Sequence, residues 1–265
     1  MTASAEGLRP VYAAARTRLG LIAVLFALAI LAWWFTADRM RGMDAGPGTQ
    51  LGTLAWFLGV WLVMMAAMMF PSVAPTVALY STMTKKRNPA APLVFVVGYL
   101  LTWTAAGLLA YTVSELGRRV LGDMLSWDRE GRWIAGGVLV LAAVYELTPM
   151  KTVCLRHCRS PLGFLLGSWR DGLSGALQMG AKHGAWCVGC CWALMASLFA
   201  LGVMSIAWMA FVAALIAVEK TLPWGRVVTY GTAAVLLTLG ILVVVVPDAV
   251  PGLTIPGEMP SMPGM

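Results

Sequence analysis

The chain has 265 residues, of which 60% are hydrophobic and only 12% charged, against roughly a quarter charged in an ordinary soluble domain. That balance excludes a water-soluble globular domain and fits a chain whose solvent is largely lipid. The formal net charge of +7 would suit nucleic acid if the basic residues formed one patch, but they are spread between apolar blocks and no nucleic-acid partner is expected.

Seven apolar blocks follow one another, each of a length to cross a bilayer as a helix whose backbone polar groups are satisfied internally. The first, Leu19 to Thr36, is preceded by Arg16 and Arg18. It ends in Trp33, Trp34 and Phe35, which read as an aromatic belt because they are too bulky for a signal-peptide cleavage site. The second, Leu51 to Phe70, carries Met64, Met65, Met68 and Met69 ahead of Pro71. At i and i+4 these form two adjacent thioether pairs, suited either to adaptable packing or to soft-metal contact. The third runs from Ala91 to Val113, and the fourth from Trp133 to Leu147 with Glu146 near its end.

Thr148 to His183 is the longest polar stretch and is expected as a loop, with a short interfacial helix over Arg170 to His183 that presents Leu173 and Leu177. The fifth and sixth blocks, Gly184 to Leu201 and Val203 to Val218, form one uncharged run too long for a single crossing, so a tight hairpin is placed at Gly202. Glu219 closes the sixth block beside Lys220, a possible partner, and the seventh spans Val227 to Val246. An ionisable residue such as Glu146 within a span is by default a candidate for function. The tail from Pro247 is rich in proline and glycine and is expected to be flexible. Its Met259, Met262 and Met265 recur every third residue, along one edge of a polyproline helix.

These elements make an all-α, polytopic helical bundle of about seven spans, with 1–246 as one membrane domain and 247–265 as its tail. With the N-terminus inside, thirteen of the nineteen Lys and Arg residues fall on cytoplasmic segments, as the positive-inside rule asks. Lys151 is among them. The C-terminus is then periplasmic, and the expected location is a bacterial inner membrane.

All five cysteines lie between positions 154 and 191. Cys154 and Cys158 follow the fourth block. His183, Cys187, Cys190 and Cys191 open the fifth, and on a helix they fall at about 0, 40, 340 and 80°, within one arc of roughly 100°. At a cytoplasmic boundary thiols stay reduced. Four or more soft ligands there suit Cu(I), Zn(II) or an iron–sulfur cluster. If the two cysteine groups share one metal, sulfurs of Cys154 or Cys158 should lie within about 4 Å of those of the second group. The plain alternative is that cysteine is simply a small residue tolerated in membrane helices. His157 is as well suited to a solvated position as to ligation.

Met64-Met65-Ala66-Ala67-Met68-Met69-Phe70-Pro71-Ser72, then Leu147-Thr148-Pro149-Met150-Lys151 with Cys154 and Cys158, then His183-Gly184-Ala185-Trp186-Cys187-Val188-Gly189-Cys190-Cys191-Trp192 resemble a bacterial domain-of-unknown-function family described as predicted metal-binding integral membrane proteins. The resemblance covers roughly residues 50 to 230. It implies a metal-binding membrane protein with Cys154, Cys158, Cys187, Cys190 and Cys191 at matching positions, and it implies no reaction. The methionine tail lies outside it.

The expected function is soft-metal handling, foremost of Cu(I), by transport or by delivery to a metalloenzyme. Cys154, Cys158, Cys187, Cys190, Cys191 and His183 are the metal ligands, and His157, Glu146, Met64, Met65, Met68, Met69, Met259, Met262 and Met265 are accessory candidates. Two alternatives stand beside it: a membrane thiol–disulfide oxidoreductase, and an assembly subunit clamped by Zn(II). Expected partners are the bilayer, a metallochaperone or metalloenzyme, and further copies of the chain. No hydrolytic constellation is present, and the two histidines are not spaced for a helix-borne zinc protease motif.

Overall fold

The structure is a computed structural model that describes residues 3–40, 52–84, 88–121, 131–202, 205–222 and 225–247. Among these residues regular structure is entirely helical: α1 (Ala3–Met40), α2 (Leu54–Thr84), α3 (Ala91–Leu121), α4 (Arg132–Glu146), α5 (Pro149–Arg159), α6 (Pro161–Gly167), α7 (Gly172–Leu201), α8 (Ile206–Thr221) and α9 (Gly225–Val245). Five stretches are long and apolar enough to cross a membrane: Leu19–Arg39, Leu54–Thr84, Ala91–Val120, Gly172–Leu201 and Arg226–Val245. This is a multi-pass helical membrane protein. Its outward faces show the lipid-solvent pattern, with Leu93, Leu109, Val120 and Val227 all well exposed.

The fourth and sixth expected spans differ from these five. The fourth, α4, has only 15 residues and is followed after a bend of 68° by α5. The break has a local cause: the backbone N–H groups of Leu147 and Thr148 close back onto the carbonyls of Val144 and Tyr145, and Pro149, with no N–H to donate, starts the next helix. The sixth, α8, has 16 residues, short of the roughly 20 that a full crossing takes. The break before it falls at Gly202, whose φ of 109° only glycine adopts readily. Ser205 then caps α8 by accepting a hydrogen bond from the backbone N–H of Trp208.

The segment 148–183 is not a loop but α5, α6 and the first turns of α7. The interfacial helix expected over Arg170 to His183 is simply the beginning of a continuous 30-residue helix. Its polar residues read as a loop because two short helices and one helix start each hold few apolar positions.

The chain divides into two compact units. One takes Met1–Thr36, Leu54–Leu109 and Val153–Cys190; the other takes Ala37–Thr53, Ala110–Thr152 and Cys191–Met265. In the first, α3 and α7 meet backbone to backbone. Gly98 lies against the carbonyl of Leu177, Gly180 against that of Phe95, and Gly184 against Thr102 and the carbonyl of Tyr99; none leaves room for a side chain. Gly180 and Gly184 are the small-x-x-x-small pattern by which membrane helices approach closely. The Thr102 hydroxyl reinforces the contact by donating to the Ala181 carbonyl at 3.0 Å. Phe95, Tyr99 and Trp103 recur every four residues on the buried face of α3. On α2, the Trp61 indole N–H donates to the Trp103 carbonyl at 2.8 Å and covers Gly107.

In the second unit α4 lies along α9 at Gly136 and Gly240, again a contact between backbones. Lys151, counted above among the residues of cytoplasmic segments, is completely buried in this unit. Its ammonium is 2.7 Å from Glu146 Oε1 and 2.7 Å from Glu219 Oε2. The bend between α4 and α5 folds Lys151 back toward Glu146. Glu219 takes the same lysine, and Glu146 is committed to an ion pair.

Candidate metal centre

The cysteine site belongs to the first unit and is built by α5 and α7. Cys187 and Cys190 stand three residues apart on one face of α7, and Cys158 comes to them from the last turn of α5. The three Sγ atoms all lie within 4.8 Å of one another. The Cys158–Cys190 separation is 3.6 Å, so the two cysteine groups of the sequence do meet. A single ion with metal–sulfur bonds near 2.3 Å needs its sulfurs about 4 Å apart, and this spacing fits that need with small adjustments. All three are buried, Cys158 being 9% exposed and the others 1%, and none of the five cysteines forms a disulfide.

Other described groups touch the trio. The Tyr99 hydroxyl is 3.1 Å from Cys187 Sγ, and the thioether of Met69 is 4.0 Å from the same atom. The Cys190 thiol donates to the Cys187 carbonyl one turn back, at 3.1 Å, which fixes its direction while it carries a proton. Tyr99 gives no sequence signal beyond its place in an apolar block. Its relation to Cys187 comes from the glycine-mediated approach of α3 and α7.

Cys154 and Cys191 are not members of the trio. Cys154, one turn before Cys158, has its sulfur against Gly189, where an added Cβ would fall 2.8 Å away. Cys191 is buried in the second unit. The helical angle that put it on the arc with Cys187 and Cys190 does not bring it into the cluster, which is built from Cys158, Cys187 and Cys190.

His183 stands four residues before Cys187, yet its ring lies in an aromatic nest with Phe164 edge-on at 4.7 Å and Phe95 and Tyr99 at 6.0 and 6.1 Å. His157 stacks flat on Trp186, with 4.0 Å between ring centroids, and its Nδ1 lies 2.9 Å from the Val153 carbonyl. Neither imidazole joins the sulfur group. Of the methionines in α2, Met64, Met65, Met68 and Met69 are all buried, and Met69 is the one with a sulfur contact to the cluster. Met259, Met262 and Met265 lie outside the described residues.

Three buried thiols at single-ion spacing, with a thioether beside them, form a soft donor set that among the described residues contains no carboxylate and no imidazole. Such a set selects thiophilic metals and leaves hard cations without suitable ligands. A family model described as PpoB2, copper chaperone, matches residues 58–243, a range that includes α5, α7 and the whole methionine cluster of α2. No curated protein and no solved structure matches the chain.

Proposed function

From the premise that the chain belongs to the PpoB2 copper-chaperone family, we propose that it carries Cu(I) as cargo on Cys158, Cys187 and Cys190 and passes it to a metalloenzyme or to a second carrier. The observation that carries this reading is the mutual approach of those three buried sulfurs within 4.8 Å. Thiolates are the donors that Cu(I) prefers. A structural zinc clamp asks for four protein ligands; among the described residues the group of candidate ligands has three.

In this reading the chain sits in a bacterial inner membrane with its N-terminus in the cytoplasm, its C-terminus in the periplasm, and seven crossings. The bent pair α4 and α5 makes one of these and the short α8 another. The buried trio then lies toward the cytoplasmic side, where thiols remain reduced and loadable. Cys154 holds α5 against α7 at Gly189, a supporting role.

The test is elemental analysis of protein purified and loaded anaerobically. One equivalent of copper, lost in Cys158→Ser, Cys187→Ser and Cys190→Ser alike, supports the reading; copper retained by all three variants sinks it. One observation favours a second reading, a thiol–disulfide enzyme: the sulfurs of Cys158 and Cys190 lie 3.6 Å apart. That reading requires a reversible Cys158–Cys190 disulfide and mixed disulfides with partners, both visible by thiol counting before and after reduction.

A further inference from the structure

The Met69 sulfur is a soft donor beside the trio that brings no charge with it. It is fully buried, and it lies 4.0 Å from Cys187 Sγ. The same Cys187 sulfur has the Tyr99 hydroxyl 3.1 Å away. Cys187 therefore sits between a soft neutral group and a hydrogen-bond partner that can serve as donor.

A monovalent ion held by three thiolates leaves two net negative charges in apolar surroundings, and each uncompensated buried charge is costly. A thioether adds a soft donor without adding charge. Exchanging Cys187 for Met69 leaves copper on two thiolates and one thioether; the total buried charge is unchanged, but one negative charge moves from the copper to the released Cys187 sulfur, where the Tyr99 hydroxyl can donate to it.

We propose that Met69 is a fourth sulfur ligand of this site and the first step by which copper leaves it. The inference rests on the copper reading given above and adds a ligand and a direction to it. In the step, the Cu–S bond to Cys187 breaks as a Cu–S bond to Met69 forms. Copper stays Cu(I), no electron moves, and the displaced thiolate remains hydrogen-bonded to the Tyr99 hydroxyl. Met65, one helical turn from Met69 on α2 and equally buried, continues the same face.

Selenium distinguishes the thioether from the thiolates. Full-length protein labelled with selenomethionine, reduced and loaded with one equivalent of Cu(I), is measured by X-ray absorption at the copper edge. The expected spectrum contains copper–selenium scattering at bonding distance. Read per bound copper, the signal is lost in labelled Met69→Leu and kept in a labelled triple variant with Met259, Met262 and Met265 each changed to Leu. Copper bound with sulfur scattering alone in the labelled wild-type protein overturns the role of Met69 and leaves the cysteine site standing. Loss of the signal in the tail variant also overturns it, and does not depend on whether Met69→Leu folds. Failure of the wild-type protein to bind copper at all overturns both this inference and the reading on which it rests.

Discussion

Cys190 Sγ lies 3.6 Å from Cys158 Sγ although 32 residues separate them in the chain. The contact brings the end of α5 to the middle of α7, and with Cys187 it sets three sulfurs at a spacing that one soft metal ion can bridge. Cys154 and Cys191, equally plausible by spacing, stand outside it. The five cysteines should therefore separate into two classes. Changing Cys158, Cys187 or Cys190 to Ser is expected to weaken Cu(I) binding by at least tenfold, while Cys154→Ser and Cys191→Ser stay within a few-fold of wild type. Anaerobic competition against a calibrated Cu(I) chelator measures this, and equal losses at all five positions would remove the distinction.

In the proposed copper site Tyr99 touches a ligand, Cys187, rather than the ion. Outer contacts of this kind orient ligands and typically change metal affinity by about 10 to 100-fold. Tyr99→Phe keeps the ring that packs near His183 and removes only the hydroxyl. It is expected to bind copper at full stoichiometry with affinity lower by roughly tenfold. An unchanged affinity would show that the hydroxyl does not act on Cys187.

Lys151 is held by two buried carboxylates, and among the described residues Glu146 Oε2 and Glu219 Oε1 have no hydrogen-bond partner. Removing the cation leaves two uncompensated buried carboxylates, so Lys151→Met is expected to cost about 3 to 5 kcal/mol. Neutralising all three groups together, as Lys151→Met with Glu146→Gln and Glu219→Gln, should recover most of that loss. Thermal unfolding in detergent compares the two. A triple variant no more stable than the single one would show that the charges matter beyond their mutual compensation.

Gly180 faces the Phe95 backbone with no room for a Cβ, whereas Gly231 faces open space. Gly180→Ala must push α3 and α7 apart and is expected to destabilise by about 1 to 3 kcal/mol. Because Tyr99 and Cys187 are on those two helices, it should also weaken copper binding. Gly231→Ala should leave both stability and binding within error, and the pair of melting curves and titrations decides the matter.

The apolar blocks in the sequence locate helices well, since lipid asks for uninterrupted hydrophobicity whatever the tertiary arrangement. The turn at Gly202 was legible for the same reason: the run it divides is too long for one crossing. Helical angles predicted a shared face for Cys187 and Cys190, but an arc of 100° is wide. Which part of it meets α5 and which turns away depends on neighbours that periodicity does not reveal, hence the different surroundings of Cys191 and His183. Lys151 was the least legible residue. A lysine just past an apolar block reads as an interfacial charge, and its burial depends on a bend at Thr148 and Pro149 and on a carboxylate 68 residues later in the chain.

That separation has a consequence for biosynthesis. Glu146 and Lys151 are only five residues apart and leave the ribosome together, so they can enter the membrane as a neutral pair. Glu219 is made much later, on α8, a short helix with a carboxylate near its end and therefore a poor substrate for insertion by itself. The ammonium already in place offers that late carboxylate a partner. The order of synthesis thus gives the third group of this buried cluster an ammonium partner that is already in place.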